Sequence, residues 1–171
     1  TGTLDTLQMT IISTVMAMLL GIPLGVILVV TSKGHILENV ALNKVLGAIV
    51  NATRSVPFII LMVAIIPFTR MVAGTSIGTT AACVPLTIAA IPFLPEALPT
   101  IIDNVTVLIV NLISYSAMAG AIGGGGLGDI AIRYGYQRFQ ADIMIATIII
   151  LVILVQLVQM IGDAWSKAMN K

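Results

Sequence analysis

Gly123-x-Gly125-x-x-Gly128 has the spacing of a phosphate-cradling loop. That loop requires a strand before it and a helix after it, inside a β-α-β unit, so that backbone N–H groups meet a pyrophosphate. Here an uncharged apolar run of helical length precedes the glycines, from Asn104 onward, and no Lys-Ser/Thr follows. The nucleotide reading fails on context. Paired His and carboxylate groups, a nucleophile elbow and metal-ligand spacing are also missing, which argues against a hydrolytic or redox enzyme. Cys83 is the single cysteine and His35 the single histidine, so a disulfide framework or a Cys/His metal site within one chain is excluded. Two groups could still do physical work. One is Arg54, a cation inside an apolar stretch. The other is the run Tyr115 to Gly128, in which six of fourteen residues are glycine and Tyr115 and Ser116 are the only polar side chains.

The elements that hold these groups follow from composition. The chain is 58% hydrophobic and only 9% charged, with a mean hydropathy of +1.12. A soluble domain carries about 25% charge, and so little charge could not cover a water-facing surface of this size. Lipid is the solvent for most of the chain. Net charge is +1, with no basic patch for nucleic acid.

A spanning helix needs about 20 predominantly apolar residues. Uncharged runs of 27 residues after Asp5, 25 after Arg70, 25 after Asp103 and 20 after Asp142 supply four candidates. A fifth must carry Arg54 within it, because only 15 uncharged residues separate Arg54 from Arg70. The expected fold is all-α and polytopic, one domain over residues 1–171. Its five transmembrane helices fall near 6–31, 45–67, 76–93, 98–120 and 141–163. The first run has no basic residue before Lys33 and is too long for a signal peptide, so it reads as a retained span. Lys33, Lys44, Lys167 and Lys171 on one side against Arg70, Arg133 and Arg138 on the other place the N-terminus outside and the C-terminus in the cytoplasm. Tyr134, Tyr136 and Phe139 suit an interfacial belt.

Gly21-Ile-Pro-Leu-Gly25 is a small-xxx-small motif, read as packing within the chain in preference to a dimer contact. Arg54 is expected to face the bundle interior and pair with Asp103, or to reach Glu96; snorkelling to the interface is the alternative. Tyr115, Met118 and Ile122 share one helical face at i, i+3 and i+7. Spacing alone leaves core packing and a narrow gate both open for that stripe.

Arg54-Ser-Val-Pro-Phe-Ile-Ile-Leu61, Ile66-Pro-Phe-Thr-Arg70, Gly74-Thr-Ser-Ile-Gly78, Val84-Pro-Leu-Thr87, Leu94-Pro-Glu-Ala-Leu-Pro99 and the Tyr115–Gly128 run stand in one order along nearly the whole chain. Together they resemble the methionine permeases of type I ABC importers. The resemblance implies a bacterial inner-membrane subunit, not itself an enzyme, that forms the translocation path as a homodimer by alternating access. It implies two separate ABC ATPase subunits carrying ATP and Mg, and a periplasmic or lipid-anchored methionine-binding protein. The permease would hold no cofactor or metal of its own. Tyr115, Ser116, Met118 and Ile122 would line the path at its periplasmic gate, and Gly120, Gly123, Gly124, Gly125, Gly126 and Gly128 would act as its hinge. A membrane scaffold without a path, or a carrier independent of ATP, are the competing functions. One departure stands out. Members of the family carry a cytoplasmic coupling loop with an E-A-A…G motif between helices 3 and 4. Here Phe93 is followed at once by Leu94-Pro95, which looks like the tail of that motif. Several tens of residues are missing at this point, and a break in the chain is expected between Phe93 and Leu94.

Overall fold

A computed structural model describes residues 1–94 and 101–169. Eight α-helices follow one another among these residues, with no strand. They are α1 (Gly2–Val30), α2 (Val40–Ser55), α3 (Phe58–Ala64), α4 (Ile66–Ala73), α5 (Thr79–Ala90), α6 (Ile101–Gly120), α7 (Gly126–Ile130) and α8 (Ala141–Met169). A 3₁₀ turn at Ile91–Phe93 extends α5, and a π turn at Ala131–Tyr136 follows α7.

α1 and α8 have 29 residues each, about 43 Å at 1.5 Å per residue, which exceeds a hydrocarbon core of roughly 30 Å. Both are apolar enough to cross it. α2 and α3 pass the same test together, but with a bend of 106° between them. α5 with its 3₁₀ extension and α6 are shorter apolar helices. The helix expected over 45–67 is therefore broken, into α2 and α3 with α4 starting before its end. Pro57 pushes Val56 into extended backbone, at ψ 124°, and starts α3 in a new direction. A second break at Ile65, ahead of Pro67, separates α3 from α4.

α1 is the hub, packing against α5, α6 and α7. Its buried face is small and hydroxylated: Thr6, Thr10, Ser13, Thr14, Ala17, Gly21 and Gly25, with Met9 as the large exception. Lipid gives no hydrophobic force between helices, so close approach and hydrogen bonds must hold them. Ser13 Oγ donates to the Cys83 carbonyl of α5 at 3.3 Å. Thr10 and Thr14 satisfy their hydroxyls on the carbonyls of Thr6 and Thr10, at 2.8 and 2.7 Å. Gly21 takes the 91–94 turn directly on its backbone: a methyl group there would stand 3.0 Å from Leu94 Cβ and 3.2 Å from the Ile91 carbonyl. At least at Gly21, the small-xxx-small motif is used inside the chain. At the other end of α1, Asn43 of α2 donates to the Leu28 carbonyl at 2.6 Å and to Thr31 Oγ1 at 3.1 Å, closing the α1–α2 hairpin.

The backbone runs on, and Leu94 N–H donates to the Ile91 carbonyl at 3.2 Å, as a 3₁₀ turn begun with Pro92 requires. Farther along, Gly162 of α8 lies so close to α6 that an added methyl group would overlap the Thr106 side chain.

Gly21→Leu is expected to lower stability by about 1–3 kcal/mol through overpacking, read as a drop in the melting temperature of the detergent-purified protein. Gly47→Ala is its control. No heavy atom lies within 4 Å of a methyl group at Gly47, so helix propensity alone should leave that variant equal to the parent or up to about 1 kcal/mol more stable.

Candidate functional site

α6 carries Tyr115 and Met118 and stops at Gly120, so Ile122, expected on the same helical face, falls in the turn beyond it. Tyr115 stacks on Phe58 of α3, with ring centroids 4.9 Å apart and planes within 8°. Met118 and Ile122 stay 47% and 40% exposed. Met118 borders an open groove of about 630 Å³ between α3, α6 and α8, whose polar lining is confined to Ser114 and Gln156. Ser116 is turned the other way. Its hydroxyl is buried and donates to the Ile113 carbonyl at 2.6 Å. The structure does not bring the three onto one surface: Tyr115 borders a recess with Arg54 and Phe93, Met118 the open groove, and Ile122 a third recess beside Thr69, while Ser116 is buried.

The glycines are there for fit. α7 folds back onto the end of α6 with backbone against backbone. A methyl group on Gly120 would collide with Gly128 and Asp129, and one on Gly128 with the main chain of Ala117. Gly123, Gly125 and Gly126 adopt φ of +89°, +79° and +78°, a region that strains other residues. Gly126 also lies against Thr6 and Met9, where a methyl group would come within 2.7 Å of Thr6 Oγ1.

The turn is satisfied from several sides. Gly124 N–H donates to the Ala119 carbonyl at 2.9 Å and Gly123 N–H to that of Gly120 at 3.1 Å. Gly78 N–H, from the α4–α5 loop, donates to the Gly123 carbonyl at 2.9 Å. Leu127 N–H donates to Thr6 Oγ1 at 2.9 Å, which ties the start of α7 to the start of α1. The glycines follow a helix and open a helix of five residues, not the strand-to-helix turn of a nucleotide loop.

Arg54 ends α2, and its guanidinium carbon sits 5.2 Å from the centroid of the Phe93 ring. Phe58 and Tyr115 border the same small recess. A cation over an aromatic face is attracted by the ring quadrupole, so the 91–94 turn is joined to the foot of the Tyr115 stripe. The side chains of Asp103 and Glu96, and Pro95, lie outside the described residues. Leu94 is buried against Gly21. Sequence reading passed over Phe58 and Phe93, although the repeated Pro-Phe pairs in R-S-V-P-F and I-P-F marked both. On the far side of α7, Arg133 pairs with Asp129 at 3.0 Å and Arg138 lies over Tyr134 at 4.7 Å. No group of three His, Cys, Asp or Glu that could hold a metal occurs among the described residues.

Apolar helices long enough to cross a bilayer, a close-packed glycine turn and an open apolar groove are, among the described residues, the make-up of a polytopic membrane protein. No family model matches the chain. It is 51% identical to the probable D-methionine transport system permease protein MetI of Vibrio cholerae, over 96% of this chain and 88% of that one. It is 43% identical to the protein of the same name in Pasteurella multocida, over 95% and 91%. Its backbone matches a solved inward-facing conformation of the MetNI methionine ABC transporter with a TM-score of 0.93, at 40% identity, over 98% of this chain and 94% of that one. The chain belongs to the methionine-transport permease family of ABC transporters.

Gly128→Ala is expected to cost about 1–3 kcal/mol by forcing α7 off α6, measured as loss of the monodisperse peak and a lower melting temperature. A double-mutant cycle over Arg54→Met and Phe93→Leu should return a coupling of about 0.5–2 kcal/mol. A coupling of zero would mean that Arg54 is held by its other contacts.

Proposed function

We propose that this chain is the membrane subunit of an ATP-driven methionine importer in the bacterial inner membrane. In this reading it crosses the bilayer five times, with the N-terminus outside and the C-terminus in the cytoplasm. Two copies form the path, which opens to each side in turn. ATP and Mg are bound by two separate ATPase subunits, and a methionine-binding protein delivers substrate from outside. The observation that carries the reading is the agreement of backbone shape and of sequence with methionine permeases over nearly the whole chain.

Tyr115, Met118 and Ile122 form the gate on this proposal. Met118 suits the task, because an unbranched thioether can close a path and withdraw without breaking a hydrogen bond. Ser116 braces the helix behind it. The hinge is the turn from Gly120 to Gly128. Its positive-φ glycines can absorb a backbone change that other residues resist.

A specific observation favours a second reading, a path without an engine. The alignment with the Vibrio cholerae relative runs over 199 positions but takes in 96% of this chain, or roughly 164 of its 171 residues. About 35 residues of that relative therefore have no counterpart here. The resemblance assigns them to the coupling loop between Phe93 and Leu94. Such a chain would keep the fold and lose its grip on an ATPase, serving as a scaffold or as a leak.

Uptake of radiolabelled methionine into vesicles holding this chain, its ATPase partner and its binding protein separates the two. ATP-dependent uptake supports the importer. Uptake that ignores ATP, or none with every partner present, rules it out. Met118→Trp is expected to reduce ATP-dependent uptake at least about tenfold, equivalent to roughly 1.4 kcal/mol on the barrier, with little change in melting temperature because the site is half exposed.

A further inference from the structure

Six threonines in this chain treat their hydroxyls alike. Thr10, Thr14, Thr31, Thr53, Thr87 and Thr147 each donate to the carbonyl four residues back, at 2.7 to 2.9 Å. This is the economical solution where water is scarce. Thr69 of α4 does otherwise. Its backbone N–H bonds the Ile65 carbonyl at 2.8 Å. Its hydroxyl, in a residue only 4% exposed, has no hydrogen-bond partner among the described residues. An unpaired buried hydroxyl is costly, so its isolation needs a reason.

Thr69 lines a cavity of about 20 Å³ where α3, α4, α5 and the glycine turn meet. Two of the residues that line it can supply further polar groups. Pro85 breaks the bonding pattern of α5, because it has no N–H to give to the Ala81 carbonyl. Both Ala81 and Pro85 border the cavity, as does Ser76. A water molecule needs about 10–15 Å³ and two to four polar partners. The cavity has room for one water. A hydroxyl that can donate or accept, a carbonyl left without its donor, and a second hydroxyl match a neutral ligand of mixed character. None of the lining residues is charged, so a metal cation would sit there without compensation.

We propose that this cavity binds a single ordered water, held by Thr69 Oγ1, the Ala81 carbonyl and the Ser76 hydroxyl. The water replaces the missing helical bond of α5 and links α4 to it. Ile122 and Gly124 border the same space, so the water also supports the turn that ends the Tyr115 stripe.

X-ray hydroxyl-radical labelling tests this, because radiolysis of a bound water oxidises the side chain beside it. Met62 borders the cavity and is 4% exposed. It is also the single methionine of the tryptic peptide between Arg54 and Arg70. In the full-length protein in lipid nanodiscs, Met62 should be oxidised at a rate within severalfold of that of the exposed Met71. Thr69→Val keeps the side-chain shape and removes the hydroxyl, and should slow Met62 labelling severalfold. Thr69→Ser keeps the hydroxyl and should preserve the rate, which guards against a folding defect in the valine variant. A Met62 that resists labelling in the parent protein, or one labelled equally in parent and Thr69→Val, overturns the proposal.

Discussion

Everything in this fold depends on one constraint. Inside a bilayer, burying apolar surface between helices gains little, because lipid is as apolar as the partner helix. Cohesion has to come from closeness and from hydrogen bonds. That is why the buried face of α1 is built from Thr6, Thr10, Ser13, Thr14, Ala17 and Gly21, while its large side chains Ile11, Val15, Leu19 and Leu20 are exposed on the outside. Along α1 small residues lie within and large ones outside, while the rest of the core keeps large side chains such as Leu86, Leu112 and Ile113.

The same constraint explains the glycine turn. Irregular backbone at membrane depth is tolerated only where protein satisfies it. From Gly120 to Leu127 the main chain receives or gives bonds to Ala119, Gly78 and Thr6. Those bonds need approach distances that no Cβ would permit at Gly120, Gly126 or Gly128. The turn is therefore fastened to α1, α5 and α6 at once. Phe58 and Phe93 add a second line of contact, from the 91–94 turn through Arg54 to the ring of Tyr115.

Much of this was legible beforehand. Charge spacing located α1, α6 and α8 to within a few residues at most ends, and the Gly21 motif was assigned correctly to packing inside the chain. Two things were hidden for different reasons. Val56-Pro57 carried a local signal for a break, but the need for about 20 residues to cross lipid overrode it, and one helix was drawn over 45–67. The partners of the glycine turn were hidden because they are tertiary. Nothing near Leu127 in the sequence points to Thr6, 121 positions away. Glycine density showed that close approach or unusual φ was required, without showing which glycine served which purpose. Ser116 stood beside Tyr115 in the sequence, yet one residue of helix turns it to the buried side.

The central claim is that the exposed stripe of α6 borders a path that ATP opens and closes. It is tested most directly by thiol accessibility at position 118. A Met118→Cys variant in a Cys83→Ala background, reconstituted with its ATPase partner, would be treated with a membrane-impermeant maleimide with and without ATP. The account predicts labelling whose rate changes severalfold when ATP is bound. Labelling at one fixed rate under both conditions, in a complex that still hydrolyses ATP, would contradict it.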